Sequence, residues 1–242
     1  MSRCFVLPVV LMMLVAPLEA KSQAFSVEDG EGAEQSFQTL NVDGWISELS
    51  TFRIIHKSNA AGKSTLDILQ IRQSRDNKSS EMALDTIMLK QIYSADKIIS
   101  LKENFVDDPL IKNKLKEQGL EVKFTATGDD ISIPSQPIVG AKLPDEVFSV
   151  NFEIEGVAAS IDVTSSDRQI LKKEKIKVPA GEFDTYLMEG NSLAKVSILF
   201  IKQTEKLFQK QWIVPGRGVV KSESYNKRGK KESITEMISY KN

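Results

Sequence analysis

His56 is the only histidine in the 242-residue chain, and histidine is the side chain best suited to move protons near neutral pH. A Ser–His–Asp arrangement could recruit partners for it from anywhere in the fold, yet no Gly-x-Ser-x-Gly elbow is present. Phe52 and Ile54 alternate with it along one strand face, so His56 is assigned a structural or surface role. Gly62-Lys63-Ser64-Thr65 has the ending of a phosphate-binding loop, but Lys57 stands where that motif needs its first glycine. It also lies between two strands rather than ahead of a helix, and it reads as a turn. Asp107-Asp108 and Asp129-Asp130 are carboxylate pairs without the alternating acids and closing glutamate of a calcium loop. Helix capping accounts for Asp108, and turn preference for Asp129 and Asp130. The expectation is therefore no catalytic residue, no cofactor and no metal site. A hydrolase whose carboxylate or serine groups are assembled by the fold stays open as an alternative, because such groups are set by three-dimensional separation.

The charge balance narrows the partners. Lys plus Arg number 32 against 33 Asp plus Glu, which gives no electrostatic case for a nucleic-acid or anionic-membrane partner. No nucleotide partner is expected either. Two local groups, Lys172, Lys173, Lys175 and Lys177, and then Lys227, Arg228, Lys230 and Lys231, read as solvated strand faces and turns that discourage edge pairing. At the front, Arg3 precedes an apolar run from Phe5 to Val15, with small residues at Ala20 and Ala24. The run is too short for a membrane span and reads as a secretory signal over residues 1–24, cleaved after Ala20 or Ala24. Cys4, the one cysteine, lies ahead of that run rather than at the cleavage point, so the chain reads as periplasmic or secreted and not as a lipoprotein. Without Cys4 the mature chain has neither a disulfide nor a thiolate zinc ligand.

A strand pattern dominates what must position any site. Residues 25–44 are acidic and glycine-containing, and are expected to be a loose segment entering the domain near Trp45. Phe52 to Lys57 and Leu66 to Gln73 read as a hairpin around Asn59-Ala60-Ala61-Gly62. Residues 81–93 fit neither period cleanly and are taken as strand; Ile98 to Leu101 is another. Asp108 as N-cap, Pro109 at the first position and Gly119 as stop predict one short covering helix over 109–118. Leu120, Val122, Phe124 and Ala126 then alternate, as do Phe148, Val150, Phe152 and Ile154, and Val157, Ala159, Ile161 and Val163. Further strands are expected at 168–178, 183–190, 194–203, 206–214, 218–226 and 232–240. This predicts one mostly β, antiparallel domain over 45–242, a half-open barrel or curved meander sheet. The proline-rich stretch at 134–144 is the alternative place for a subdomain boundary.

Two corners carry a resemblance. Val178-Pro179-Ala180-Gly181-Glu182-Phe183-Asp184-Thr185-Tyr186 and Trp212-Ile213-Val214-Pro215-Gly216-Arg217-Gly218-Val219-Val220-Lys221, with the Ile133-Pro134 to Leu143-Pro144 segment, resemble the closing half of a TapB-like group of exported bacterial proteins. That group is akin to LolA/LolB-like half-open β-barrel domains. The resemblance implies a concave face that holds an apolar ligand, and it carries no catalytic residues. From the residues alone, Trp212 reads as a core anchor. The leading expectation is a non-catalytic envelope β-domain binding a lipid or other apolar ligand, or another envelope component. A structural or protein-interaction module of the envelope is the alternative.

Overall fold

In the computed structural model, residues 25–75, 82–106, 122–154, 156–198 and 201–242 are described. They form thirteen strands: β1 (Glu34–Asn41), β2 (Ile46–Ala60), β3 (Lys63–Arg75), β4 (Met82–Tyr93), β5 (Lys97–Ser100), β6 (Lys123–Gly128), β7 (Ile131–Pro134), β8 (Glu146–Ile154), β9 (Val157–Val178), β10 (Gly181–Ile198), β11 (Ile201–Val214), β12 (Gly218–Asn226) and β13 (Lys231–Lys241). All pair antiparallel in one sheet of order β6-β8-β9-β10-β11-β12-β13-β1-β2-β3-β4-β5-β7. The sheet is a curved meander that does not close into a barrel. Among the described residues the helical content is one 3-10 turn, Lys102–Phe105. The helix expected over 109–118, like the segment 1–24, lies outside the described residues.

Alternation becomes burial where it was strongest. Phe148, Val150 and Phe152 of β8, Ala159, Ile161 and Val163 of β9, and Ala194, Val196 and Ile198 of β10 form one core. A larger core joins Phe52 and Ile54 of β2, Leu66 and Ile68 of β3 and Ile87 and Leu89 of β4 to Leu187, Trp212 and Met237 from the other half of the sheet. The β2–β3 hairpin turns on Ala61 and Gly62, both at positive φ, the backbone signature of a type I′ turn. That settles the phosphate-loop likeness as a turn.

Three expectations change. Residues 25–44 are not loose: Phe25 is fully buried, its carbonyl accepts from the Tyr93 hydroxyl at 2.7 Å, and β1 lies mid-sheet between β13 and β2. Only Phe37 among the β1 side chains is a buried hydrophobic, while Gln35 is buried as deeply, so the strand lacks an apolar signature. The two strands expected at 157–163 and 168–178 are one 22-residue strand, β9. The expected 183–190 strand and the first part of 194–203 are likewise one 18-residue strand, β10. A straight 22-residue strand spans roughly 70 Å, so this pair has to bend within the fold. It does so where Asp167 has φ 53 and the register shifts on either side of Glu189. Gly190 fits there because a Cβ would sit 2.8 Å from Cγ of Arg168.

The curvature follows from one connection. β6 and β7 are opposite edges of the sheet, yet only Asp129 and Asp130 join them. Three Cα–Cα steps reach at most about 11 Å, so the two edges face each other at this corner. Side chains span the gap there. Lys102 donates to Asp130 from its backbone N at 3.1 Å and from Nζ at 3.3 Å. Glu146, at the start of β8, accepts from the backbone N of Ser132 in β7 at 3.1 Å and from its hydroxyl. Arg168 of β9 lies 2.9 Å from Glu146 and donates to the carbonyls of Ser132 at 2.7 Å and Pro144 at 2.6 Å. The 134–144 connection runs beside this seam, with Leu143 N donating to Arg168 O and Ile170 N to Ala141 O.

Candidate functional site

Two concavities lined by described residues differ in size and lining. The first lies inside the curl, beneath the seam. Ile98, Ile131, Ile133 and Met188 line it together with Arg168, Gln91, Gln209 and Gln211, and its volume is about 90 Å³. Small-molecule pockets run to about 300–1,000 Å³, so this space is far below ligand size. Its lining is also mixed. Arg168 is 3% exposed, and its Nε has no hydrogen-bond partner among the described residues. A polar cavity of this size suits ordered water.

The second is a groove of about 450 Å³ on the opposite face of β10, β11 and β12. Register builds it. Lys206, Phe208 and Lys210 stand at i, i+2 and i+4 on β11, so all three point the same way. Asn191 of β10 is the cross-strand partner of Phe208, and Tyr225 of β12 is its partner on the other side. An Asn191–Phe208–Tyr225 row therefore crosses three strands, with the two rings 6.0 Å apart at 56°. Lys227, in the β12–β13 turn, completes the wall.

The charges on the two sides of that row differ. On one side Lys210 pairs with Glu189 at 3.0 Å and lies within 6 Å of both ring centroids. Next to it Glu223 meets Lys231 at 3.0 Å and Lys221 at 3.5 Å, and it accepts from the Tyr225 hydroxyl. Burial alone would raise the Glu223 pKa, but the hydroxyl and the two ammoniums outweigh it and hold the carboxyl low. Burial, then the Glu223 hydrogen bond, pushes Tyr225 up to about 12. On the other side, Lys206 and Lys227 have no carboxylate partner among the described residues. The groove is thus balanced along one wall and cationic along the other.

The residues singled out by type alone are scattered. His56 lies on the sheet's outer surface, its ring 3.1 Å from Glu31, and lines neither concavity. Asp129 accepts from Val147 N at 2.9 Å and Asp130 from Lys102, so both carboxylates serve the corner between β6 and β7; Asp107 and Asp108 lie outside the described residues. Trp212 is 8% exposed in the main core, and its indole N–H donates to Glu174 at 2.9 Å. Among the described residues no three His, Cys, Asp or Glu side chains converge as a metal site. Lys-x-Phe-x-Lys at 206–210 was the available sequence signal for the groove, and the other half of the site is brought to it by strand register alone.

Known proteins support the fold. A model of the DUF3108-like family matches residues 31–237. The solved structure of a candidate exported protein with a YmcC-like fold from Bacteroides fragilis is 16% identical, with a TM-score of 0.63 over 91% of this chain and 100% of that one. That of a candidate lipoprotein from Parabacteroides distasonis is 15% identical, with a TM-score of 0.62 over 92% and 100%. Fold likeness at such identity says nothing about ligand or activity. No curated protein matches the chain.

Proposed function

The chain belongs to the DUF3108-like family, and on that footing we propose that it is a non-catalytic binding domain of the bacterial envelope that engages its partner on the outside of its sheet. The envelope assignment rests on the sequence's export pattern and on structural neighbours described as candidate exported protein and lipoprotein. The observation that carries the binding mode is the contrast of volumes. Among the described residues the interior cavity holds about 90 Å³ with a mixed polar and apolar lining, whereas the external groove offers about 450 Å³. A lipid acyl chain needs a dry apolar space of pocket size, and the cavity that the described residues line inside this curl does not offer one to the apolar ligand that the half-open-barrel likeness implies. Catalysis is left out because His56 pairs with Glu31 and lines neither concavity.

The test is gentle purification after export, followed by native mass spectrometry and organic extraction. The expected result is a mass free of lipid that stays so after incubation with envelope lipids. A stoichiometric lipid or other apolar molecule in the extract overturns the reading and returns the interior as the binding site.

A further inference from the structure

We propose that the groove between β10, β11 and β12 binds an acidic saccharide, with a sugar ring against the Phe208–Tyr225 row and its carboxylate drawn to Lys206 and Lys227. This deepens the surface-binding reading and rests on it. The row supplies two aromatic rings side by side across neighbouring strands. Aromatic faces suit the apolar faces of flat, hydroxylated rings, while leaving their edges to polar groups. Asn191 sits at the end of that row. Its amide N–H donates to Asp167 at 2.8 Å, which fixes the side chain and leaves its carbonyl oxygen to accept a hydroxyl.

The charge pattern selects an anion and limits its density. Lys206 is two residues from Phe208 along β11, a step of about 7 Å, close enough for a group on a stacked ring to reach the ammonium. Lys210, at the same distance on the other side, is already neutralised by Glu189. An anionic substituent therefore has one favoured direction across the rings, toward Lys206 and Lys227. The formal net charge of the chain is −1, so no long-range field gathers a dense polyanion such as nucleic acid. Isolated carboxylates carried on rings match isolated lysines beside rings.

A membrane surface fits the groove less well. The lining is concave and contains none of the exposed large aliphatic residues. Some of those residues, Ile71, Leu84 and Met88, lie on β3 and β4, where the register puts Leu84 opposite Gln73 and Met88 opposite Leu69, and Ile138 and Val139 lie on the 134–144 connection.

The experiment is calorimetric titration of the mature chain with a galacturonic acid pentamer, its neutral methyl ester, inorganic phosphate and phosphatidylglycerol vesicles. Binding of the acidic pentamer is expected, at least about tenfold tighter than the ester and weakened by added salt. The Lys206→Gln, Lys227→Gln double variant should lose about tenfold or more in affinity with an unchanged melting temperature, since both side chains lie on the surface. Phe208→Ala should weaken both saccharides together. If Phe208→Ala does not fold, the lysine variant and the ester still decide the matter. No binding of the pentamer, equal binding of acid and ester, or pentamer affinity untouched by the lysine double variant overturns the proposal. So does phosphate competing as well as the pentamer, which would mark a bare cationic patch, or binding to vesicles alone, which would mark a membrane surface. Failure here without a co-purified lipid leaves the surface-binding reading standing, whereas a co-purified lipid removes its basis.

Discussion

Replacing Glu146 by Gln keeps the shape of the seam and removes one charge. Arg168 is then left with a guanidinium whose side chain is 3% exposed, facing a neutral amide in place of a carboxylate 2.9 Å away. Removing one partner of a buried pair costs about 3–5 kcal/mol, because the stranded ion cannot regain its hydration. A domain of ordinary stability has about 5–15 kcal/mol in total, so this single change takes a large share of it. At about 2–4 °C per kcal/mol for a chain of this size, the melting temperature should fall by about 6–20 °C. Arg168→Met should cost a similar amount, since Glu146 then keeps only the two donors of Ser132. The double variant strands no charge, so its loss should be well under the sum of the singles. Urea unfolding of all four proteins yields the coupling energy directly. Singles that each cost less than about 1 kcal/mol, or a strictly additive double, would refute the claim that a buried ion pair holds the two sheet edges together.

Gly190→Ala places a methyl group 2.8 Å from Cγ of Arg168, which is itself pinned by two carbonyls. Overpacking of this kind should cost about 1–3 kcal/mol, read as a lower urea midpoint with an unchanged slope; a neutral or stabilising result would show that the bend has slack. Tyr93→Phe leaves the Phe25 carbonyl without its donor, at a cost of about 1–3 kcal/mol, and hydrogen exchange should speed up at residues 25–33 ahead of the rest of the sheet. Acid dependence has a defined sign. The Lys172 hydrogen bond holds the Glu174 carboxyl below its ordinary value, and Glu223 is held low as well. The stability they contribute is present above the unfolded value near 4.5 and is lost as pH falls through the lowered folded values. Burial, with Glu232 nearby, raises Glu205 instead; its contribution is present below about 4.5 and is lost as pH rises through the folded value. Glu205→Gln should therefore raise the melting temperature near neutral pH, and a fall there would contradict that sign.

Much of the sheet was legible because period-two alternation needs only a polar and an apolar face. Phe148, Val150 and Phe152 announce β8, and Ala61-Gly62 announces the hairpin turn. β1 was not legible, since Gln35 fills an inward position that pattern reading reserves for hydrophobics. The unity of β9 and β10 was hidden for a related reason: Asp167 and Gly190 look like breaks, and in the fold they are bends inside continuous strands. The seam and the groove depend on pairings across long stretches of chain, Ser132 with Arg168 and Phe208 with Tyr225. Composition can supply the lysines and rings, but only strand order decides which of them share a surface.

The position of β13 matters for how the molecule comes into being. Strand β13, Lys231–Lys241, pairs along β1, with Glu34 opposite Lys241 and Asn41 opposite Ser233. Until Lys231–Lys241 has been made and has docked, β1 and β12 are both open ladders and the central joint of the sheet does not exist. Two half-sheets must wait for each other, each displaying unpaired backbone of the kind that invites a neighbouring chain. Deleting Lys231–Lys241 would therefore cut the sheet through its middle rather than trim an edge.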